Sequence, residues 1–223
     1  MRAGLQRCAP FAALDSASLD GILGISHIEK FPRRRPLYQE GSTAEQLFVV
    51  SSGRVRVVRG RGEHRMLTVA YRGVGDLVGE TGLAEGHIYR ATASATEPVE
   101  ALAVPLRAVR ALLQENPRFS EQMLLLMVER RIQAERRVES LLSRTVESRV
   151  AEFLIDAAER HGIPESRGVL IGVKYTHQEI ADYVGSTRET VTLTLGDLRR
   201  RELLQFDHRR IVLTDPTTIR ALV

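Results

Sequence analysis

Apolar residues recur along this chain with two different periods. Residues 47–50, 55–58, 66–70 and 99–104 are short runs rich in Val, Leu and Phe, of the kind that form strands. Gly41, Gly53, Gly60, Gly62, Gly73, Gly75 and Gly86 punctuate this region, at corners where other residues resist the required backbone conformations. Short strands at this spacing predict an antiparallel barrel or sandwich. Elsewhere the period is helical. Residues 1–30 contain helix-like material, with Leu19, Ile22, Leu23 and Ile25 suggesting a short amphipathic helix after an Asp15/Ser16 cap. Helical spacing returns through Leu112 and Leu113, and Asn116-Pro117 opens a long segment reaching about Arg144. Within it Leu124, Met127, Arg131, Ala134, Val138, Leu141 and Thr145 alternate at three- and four-residue steps, a coiled-coil seam. A helix of about 27 residues would run about 40 Å, more than one small domain needs to cover itself. The segment is therefore expected to be a dimer spine.

Residues 146–161 form a further amphipathic pattern (Val150, Phe153, Leu154, Ala157, Ala158), stopped by Gly162 and Pro164. Residues 168–175 alternate as a strand, and residues 175–203 then carry two helix starts. Thr176 with Glu179, and Ser186 with Glu189, each have capping-box spacing, and Gly185 stands where the first helix must turn. Ile180, Val184, Val191, Leu195 and Leu198 supply the buried face. A plain αα-hairpin shares this pattern, but polar side chains at the start of the second helix favour a DNA-reading helix-turn-helix. Residues 203–206 and 211–214 flank Asp207, His208, Arg209 and Arg210 as a β-hairpin with a charged tip. That makes a winged variant, with Arg209 and Arg210 within reach of backbone phosphate.

Composition narrows the classes. The formal charge of +4 and pI near 9.6 permit a nucleic-acid partner. From residue 146 onward, however, 11 Lys/Arg face 12 Asp/Glu, so the expectation rests on bunching at Arg188, Arg199–Arg201 and Arg209-Arg210. Cys8 is the single cysteine; it excludes a disulfide framework and a four-cysteine iron–sulfur cluster. No apolar stretch approaches 18 residues and no signal-peptide core opens the chain, so a soluble cytoplasmic protein with no membrane partner is expected. Nothing resembles a metal-ligand cluster, a nucleophile with its base, or a P-loop, so no enzyme is expected.

The order of parts resembles the CRP/FNR family of bacterial transcription regulators over nearly the whole chain. The residues that carry the resemblance are Gly41, Gly53-Arg54-Val55, Gly75-Asp76, Gly79-Glu80-Thr81-Gly82-Leu83, Tyr89-Arg90-Ala91-Thr92 and the run from Gly185 to Val191. The reader is also similar to that of the cyanobacterial nitrogen regulator NtcA. The resemblance implies an α+β fold: an N-terminal antiparallel β-roll, jelly-roll-like (1–116), a long central dimerisation helix (117–145) and a C-terminal winged helix-turn-helix (146–223). It implies a homodimer on a palindromic duplex, RNA polymerase as downstream partner, and a cyclic-nucleotide-binding β-roll whose phosphate cassette spans residues 79–92.

A short helix starting near Glu80 would aim backbone N–H groups from Gly79, Glu80 and Thr81 at an anion, Arg90 can fork onto a cyclic phosphate, and Glu80 can accept from a ribose hydroxyl. The alternative is that Glu80 and Arg90 pair with each other. The Arg90-Ala91 pair resembles that of eukaryotic cAMP-binding domains, whereas the family's cGMP binders often carry Thr at that position, so the resemblance implies cAMP rather than cGMP. No tightly bound cofactor is expected; the effector is cAMP or another small anion. Ala134-Glu135 stands where the bacterial cAMP receptor presents Thr-Ser to adenine, while Arg130 and Glu135 are spaced as in the 2-oxoglutarate-sensing regulator, so a 2-oxo acid and a ligand-independent factor stay open; a cyclic-nucleotide-binding regulatory subunit is a further alternative, which would leave the winged reader idle. At the reader, Arg188 and Glu189 match the family's base-contacting pair, Leu193 stands where a second Arg is usual, and Thr176, Gln178, Ser186, Thr187 and Thr192 complete the candidate DNA face.

Overall fold

The computed structural model describes residues 2–60 and 67–223; Met66 and Gly62, named above, lie outside them. The chain divides into two compact units, residues 1–132 and 133–223.

The first unit opens with helices α1 (Arg2–Leu5), α2 (Ala9–Ala12) and α3 (Ser16–Ile25). Asp15 caps α3 as its spacing predicts, accepting from the Ser18 N–H at 2.7 Å. Eight strands follow: β1 (His27–Phe31), β2 (Pro36–Tyr38), β3 (Gln46–Ser52), β4 (Val55–Arg59), β5 (Leu67–Arg72), β6 (Leu77–Val78), β7 (Thr92–Ala95) and β8 (Val99–Pro105). They form two antiparallel four-stranded sheets, β1-β8-β3-β6 and β2-β7-β4-β5, the jelly-roll-like arrangement expected. Residues 27–30, within the stretch expected to contain helix, are strand. Their backbone pairs with β8, His27 opposite Ala103 and Phe31 opposite Val99, and long-range pairing overrides a weak local pattern. Gly53 turns β3 into β4 at φ 78°; a Cβ there would stand 2.3 Å from the Pro98 carbonyl oxygen, so only glycine fits. Helices α4 (Leu106–Glu115) and α5 (Pro117–Ser143) come next. The start of α5 belongs to this unit because Phe119 and Met123 are buried with Phe11, Leu47, Leu102 and Val109 in its core. Phe11 and Phe119 meet edge-to-face at 5.2 Å.

The second unit contains the last turns of α5, then α6 (Val146–His161), β9 (Gly162–Glu165), β10 (Gly168–Ile171), α7 (His177–Val184), α8 (Arg188–Arg200), β11 (Leu204–Asp207), β12 (Arg210–Leu213) and α9 (Pro216–Ala221). Its sheet runs β11-β12-β10-β9. Val150, Leu154, Ile171, Ile180, Val191, Leu195, Leu198, Val212 and Ile219 are buried between that sheet and the helices. Strand β9 has no counterpart in the pattern, since Gly162 and Pro164 read as a stop; Pro164 is tolerated because β9 is an edge.

Candidate effector site and nucleic-acid interface

In the first unit, Gly79 adopts φ 95° and starts a single 3-10 turn, Glu80–Leu83. That turn is anchored from α4: Arg110 Nη2 donates to the Gly82 and Leu83 carbonyls, both at 3.3 Å. Thr81 is committed internally, its hydroxyl accepting from the Arg90 N–H at 3.2 Å. Ala91 is buried, and Tyr89 stacks on Tyr38 with ring centroids 3.9 Å apart. Burial and the nearby Glu80 carboxylate hold the Tyr38 phenol above its ordinary pKa, so the ring stays neutral.

Glu80 and Arg90 do not pair with each other. Glu80 forms an ion pair with Arg130 from α5, and Arg130 Nη2 also donates to the Leu77 carbonyl at 2.6 Å. The Arg130 and Glu80 side chains are 11% and 20% exposed. Arg90 is exposed, with Nη2 donating to the Glu85 carbonyl at 3.1 Å. Among the described residues, the cassette thus presents one guanidinium without a carboxylate partner and one carboxylate already holding a second guanidinium. A neighbouring groove lined by His27, Glu29, Tyr38, Glu45, Gln46 and Tyr89 includes neither Glu80 nor Arg90. Sequence reasoning placed Arg130 near the effector through its spacing to Glu135 but did not link it to Glu80. Ala134 and Glu135 are exposed on the part of α5 assigned to the second unit.

The predicted seam divides. Leu124 and Val138 are exposed, at 63% and 55%, and Arg131 and Ala134 are exposed beside them. Met127 instead packs on the first unit's core, and Leu141 lies against Gly185. Leu125, Val128, Ile132 and Leu142 are exposed as well. Three- and four-residue steps put 124, 128, 131, 135, 138 and 142 on one helix face.

At the reader, the first capping box is complete: Thr176 accepts from the Glu179 N–H at 3.1 Å and Glu179 Oε2 accepts from the Thr176 N–H at 2.7 Å. The second box, Ser186 with Glu189, is corrected. The Ser186 N–H is spent on the Ala181 carbonyl in the helix stop around Gly185 (φ 68°). Thr187 caps α8 instead, accepting from the Thr190 N–H at 3.2 Å. Moving the cap one residue on frees the Glu189 carboxylate. Arg188, Glu189, Thr192 and Leu193 are all exposed on α8, Leu193 to 74%. The Thr192 hydroxyl donates to the Arg188 carbonyl, so it receives the Nδ1–H of His177, 2.8 Å away. Burial and then the Arg188 charge lower the His177 pKa, keeping the ring neutral. Gln178 is exposed but donates to Asp182. On the wing, His208 and Arg209 form a two-residue loop with φ 44° and 67°, the twist that hairpins prefer, and both side chains are exposed. Arg210 is half-buried. Arg167 binds Asp207 at 2.7 Å and Glu165 at 3.3 Å, joining the wing to the β9–β10 turn. Arg167 had no signal in the sequence.

Burial pushes the Cys8 thiol up to about 12, so no thiolate is present near neutrality. No helix among the described residues is long and apolar enough to cross a membrane.

Comparison with known proteins agrees with both halves. Residues 28–116 match the cyclic nucleotide-binding domain model, and residues 148–222 match the Crp-like helix-turn-helix domain model. The global nitrogen regulator of Nostoc sp. is 33% identical over 196 residues, covering 86% of this chain and 87% of that protein. The cAMP-activated global transcriptional regulator CRP of Pasteurella multocida is 30% identical over 199 residues, 88% of this chain and 94% of that one. A solved CRP-family transcriptional regulator from Thermus thermophilus superposes with a TM-score of 0.74 at 27% identity, covering 87% of this chain and 95% of the other. With a cyclic nucleotide-binding domain ahead of a DNA-binding winged reader, the chain belongs to the CRP/FNR family of transcription regulators.

Proposed function

We propose that the chain acts in the cytoplasm as a homodimer, reads a palindromic duplex operator with two copies of α8, and is tuned by a 3′,5′-cyclic nucleotide such as cAMP held in the β-roll. RNA polymerase is its downstream partner. Residues 1–116 serve as effector domain, 117–145 as dimer helix and 146–223 as reader. The observation that carries the effector assignment is the separation of Glu80 from Arg90. Arg90 keeps an exposed fork for a cyclic phosphate, while Glu80 stands as acceptor for a ribose hydroxyl. Gly79, Thr81 and Ala91 shape the turn that holds them.

A 2-oxo acid is the second reading, supported by likeness to a global nitrogen regulator and by Arg130 at the cassette. It suits the cassette less well, because a dicarboxylate would bring like charge beside Glu80. Calorimetry with cAMP, cGMP and 2-oxoglutarate, each repeated on Arg90→Ala, separates the readings. We expect cAMP to bind and Arg90→Ala to weaken it about 10- to 100-fold, the effect of losing hydrogen bonds to a charged group. Binding of 2-oxoglutarate alone would transfer the site to the second reading. Absence of binding by all three would remove the effector.

Dimerisation is supported by the exposed apolar face of α5, whose burial against a second copy removes several large side chains from water. DNA contact is supported by Arg188, Glu189, Thr187 and Thr192 on the open face of the reader, with Thr176 and Gln178 at the start of α7, Ser186 in the turn and Arg209 and Arg210 on the wing. Arg209→Ala is expected to weaken specific and random duplexes alike and to lower the salt-dependence slope by about one. Filter binding across a salt series measures it; a change confined to the specific operator would assign Arg209 to base reading.

A further inference from the structure

In the second unit, the C-terminal end of α7 is held by two arginines from two other helices. We infer that Arg137, on the last turns of α5, is the positioning residue that fixes the orientation of the recognition helix relative to the dimer spine; this rests on the dimeric DNA-reading function proposed above.

The last carbonyls of a helix have no partner within it and ordinarily turn to water. Here the Tyr183 carbonyl accepts from Arg137 Nη2, and the Val184 carbonyl accepts from Arg149 Nε at 2.8 Å. Both contacts complement the negative end of the helix dipole. Arg137 Cζ also lies over the Tyr183 ring, 4.0 Å from its centroid, and Phe153 of α6 packs beside that ring at 5.1 Å. Arg149 Nη1 reaches back to the Arg144 carbonyl at the end of α5, at 2.8 Å. The same stretch is tied to α6 by Ser140 Oγ donating to Glu152 at 2.5 Å and by Arg144 facing Glu152 at 3.4 Å. Leu141 closes on the turn itself, since a Cβ on Gly185 would come within 2.9 Å of its methyl.

The grip therefore lies on the two residues immediately before the Gly185 turn, three residues ahead of α8. A planar guanidinium that stacks and donates at once defines a direction as well as a distance. Rotation or sliding of the end of α5 must carry the turn, and α8 beyond it, along. None of these contacts lies on the exposed side of α8, so Arg137 serves orientation and leaves base reading to other residues.

The prediction concerns half-site spacing. One added base pair moves the second half-site about 3.4 Å and turns it about 35°. Wild-type protein with rigidly oriented readers should discriminate strongly against such spacers. Operators are first selected from random duplexes with the wild-type protein, then lengthened by one and two base pairs at the centre. For Arg137→Ala we expect the penalty for an added base pair to fall at least about tenfold, with base preferences inside each half-site and the thermal midpoint retained. Arg137→Lys keeps the charge but loses the fork and stack, and should fall between. If both variants keep the wild-type spacing penalty, the inference is overturned. If half-site base preference and thermal midpoint collapse together with spacing, Arg137 is merely structural and the inference is again overturned. Recovery of a non-palindromic site by wild type would instead refute the dimeric reading on which the inference stands.

Discussion

Replacing Glu80 by alanine is expected to destabilise the effector unit by about 3 kcal/mol, the lower end of what is lost when one partner of a buried ion pair is removed. The loss comes less from the attraction forgone than from the charge left behind. Arg130 is only 11% exposed and would keep the Leu77 carbonyl as a neutral acceptor, which offsets part of the desolvation but not all of it. Urea unfolding should therefore show a lower midpoint at an unchanged slope. The double variant Glu80→Met with Arg130→Met should recover most of the loss, because two apolar side chains of similar volume need no mutual compensation. A single-variant loss below about 1 kcal/mol would mean that the pair is screened as surface pairs are. It would then also be a poor candidate for a contact that a ligand must displace or share. The same pair would link stability to function if, as proposed, Glu80 accepts from the effector's ribose. Glu80→Ala should weaken cAMP binding as well as lower stability, whereas Arg130→Met alone would strand the carboxylate and leave the phosphate fork of Arg90 in place.

The parts of this fold that were legible in the sequence are those whose signals are local. Asp15 and Thr176 announce helix starts through side chains that reach only three residues ahead. Asn116-Pro117 and Gly162 bracket α5 and α6 within a residue or two of their observed ends. Strands were legible where apolar residues run together, as in β3 and β8, and illegible where pairing partners decide. His27–Phe31 carries Ile28 and Phe31 among polar residues and becomes strand only because β8 lies alongside. Strand β6 has two residues and β9 contains a proline.

The cassette shows the same division. Glu80 and Arg90 were recognisable by type and spacing, but their partners were not. Glu80 turned to Arg130, fifty residues away, and Arg110 supplied an anchor that nothing local marks. At the reader, two overlapping cap candidates, Ser186 and Thr187, stand side by side. Only the hydrogen bond from the Ser186 N–H to Ala181 decides between them. Arg137 was invisible for a comparable reason: within a charged helix it reads as a solvated position, and its role exists only once α7 is packed against α5.

That shifted cap gives the base-reading prediction its sharpest form. Arg188 occupies the first position of α8, exposed, with its backbone carbonyl held by Thr192 and its guanidinium directed by no carboxylate among the described residues. Glu189 beside it is released from helix capping, so an arginine and a carboxylate stand together at the exposed start of α8. A forked guanidinium matches the O6 and N7 edge of guanine, and a carboxylate accepts from the cytosine amine. Arg188→Ala is expected to lose about 1–3 kcal/mol of discrimination at one base pair in each half-site. In a symmetric dimer the loss is taken twice per operator, so specific affinity should fall by about 30-fold to about 2 × 10⁴-fold while random DNA is bound almost as before. Competition binding on operators substituted one base pair at a time measures it, because only one position per half-site should lose its preference. A phosphate contact would give the opposite signature, with every sequence weakened equally and the salt slope reduced by about one. Leu193, 74% exposed further along the same face, can offer a thymine methyl apolar contact but no hydrogen bond. Discrimination at that outer position should therefore survive Arg188→Ala, which makes the two positions separable within one set of operators.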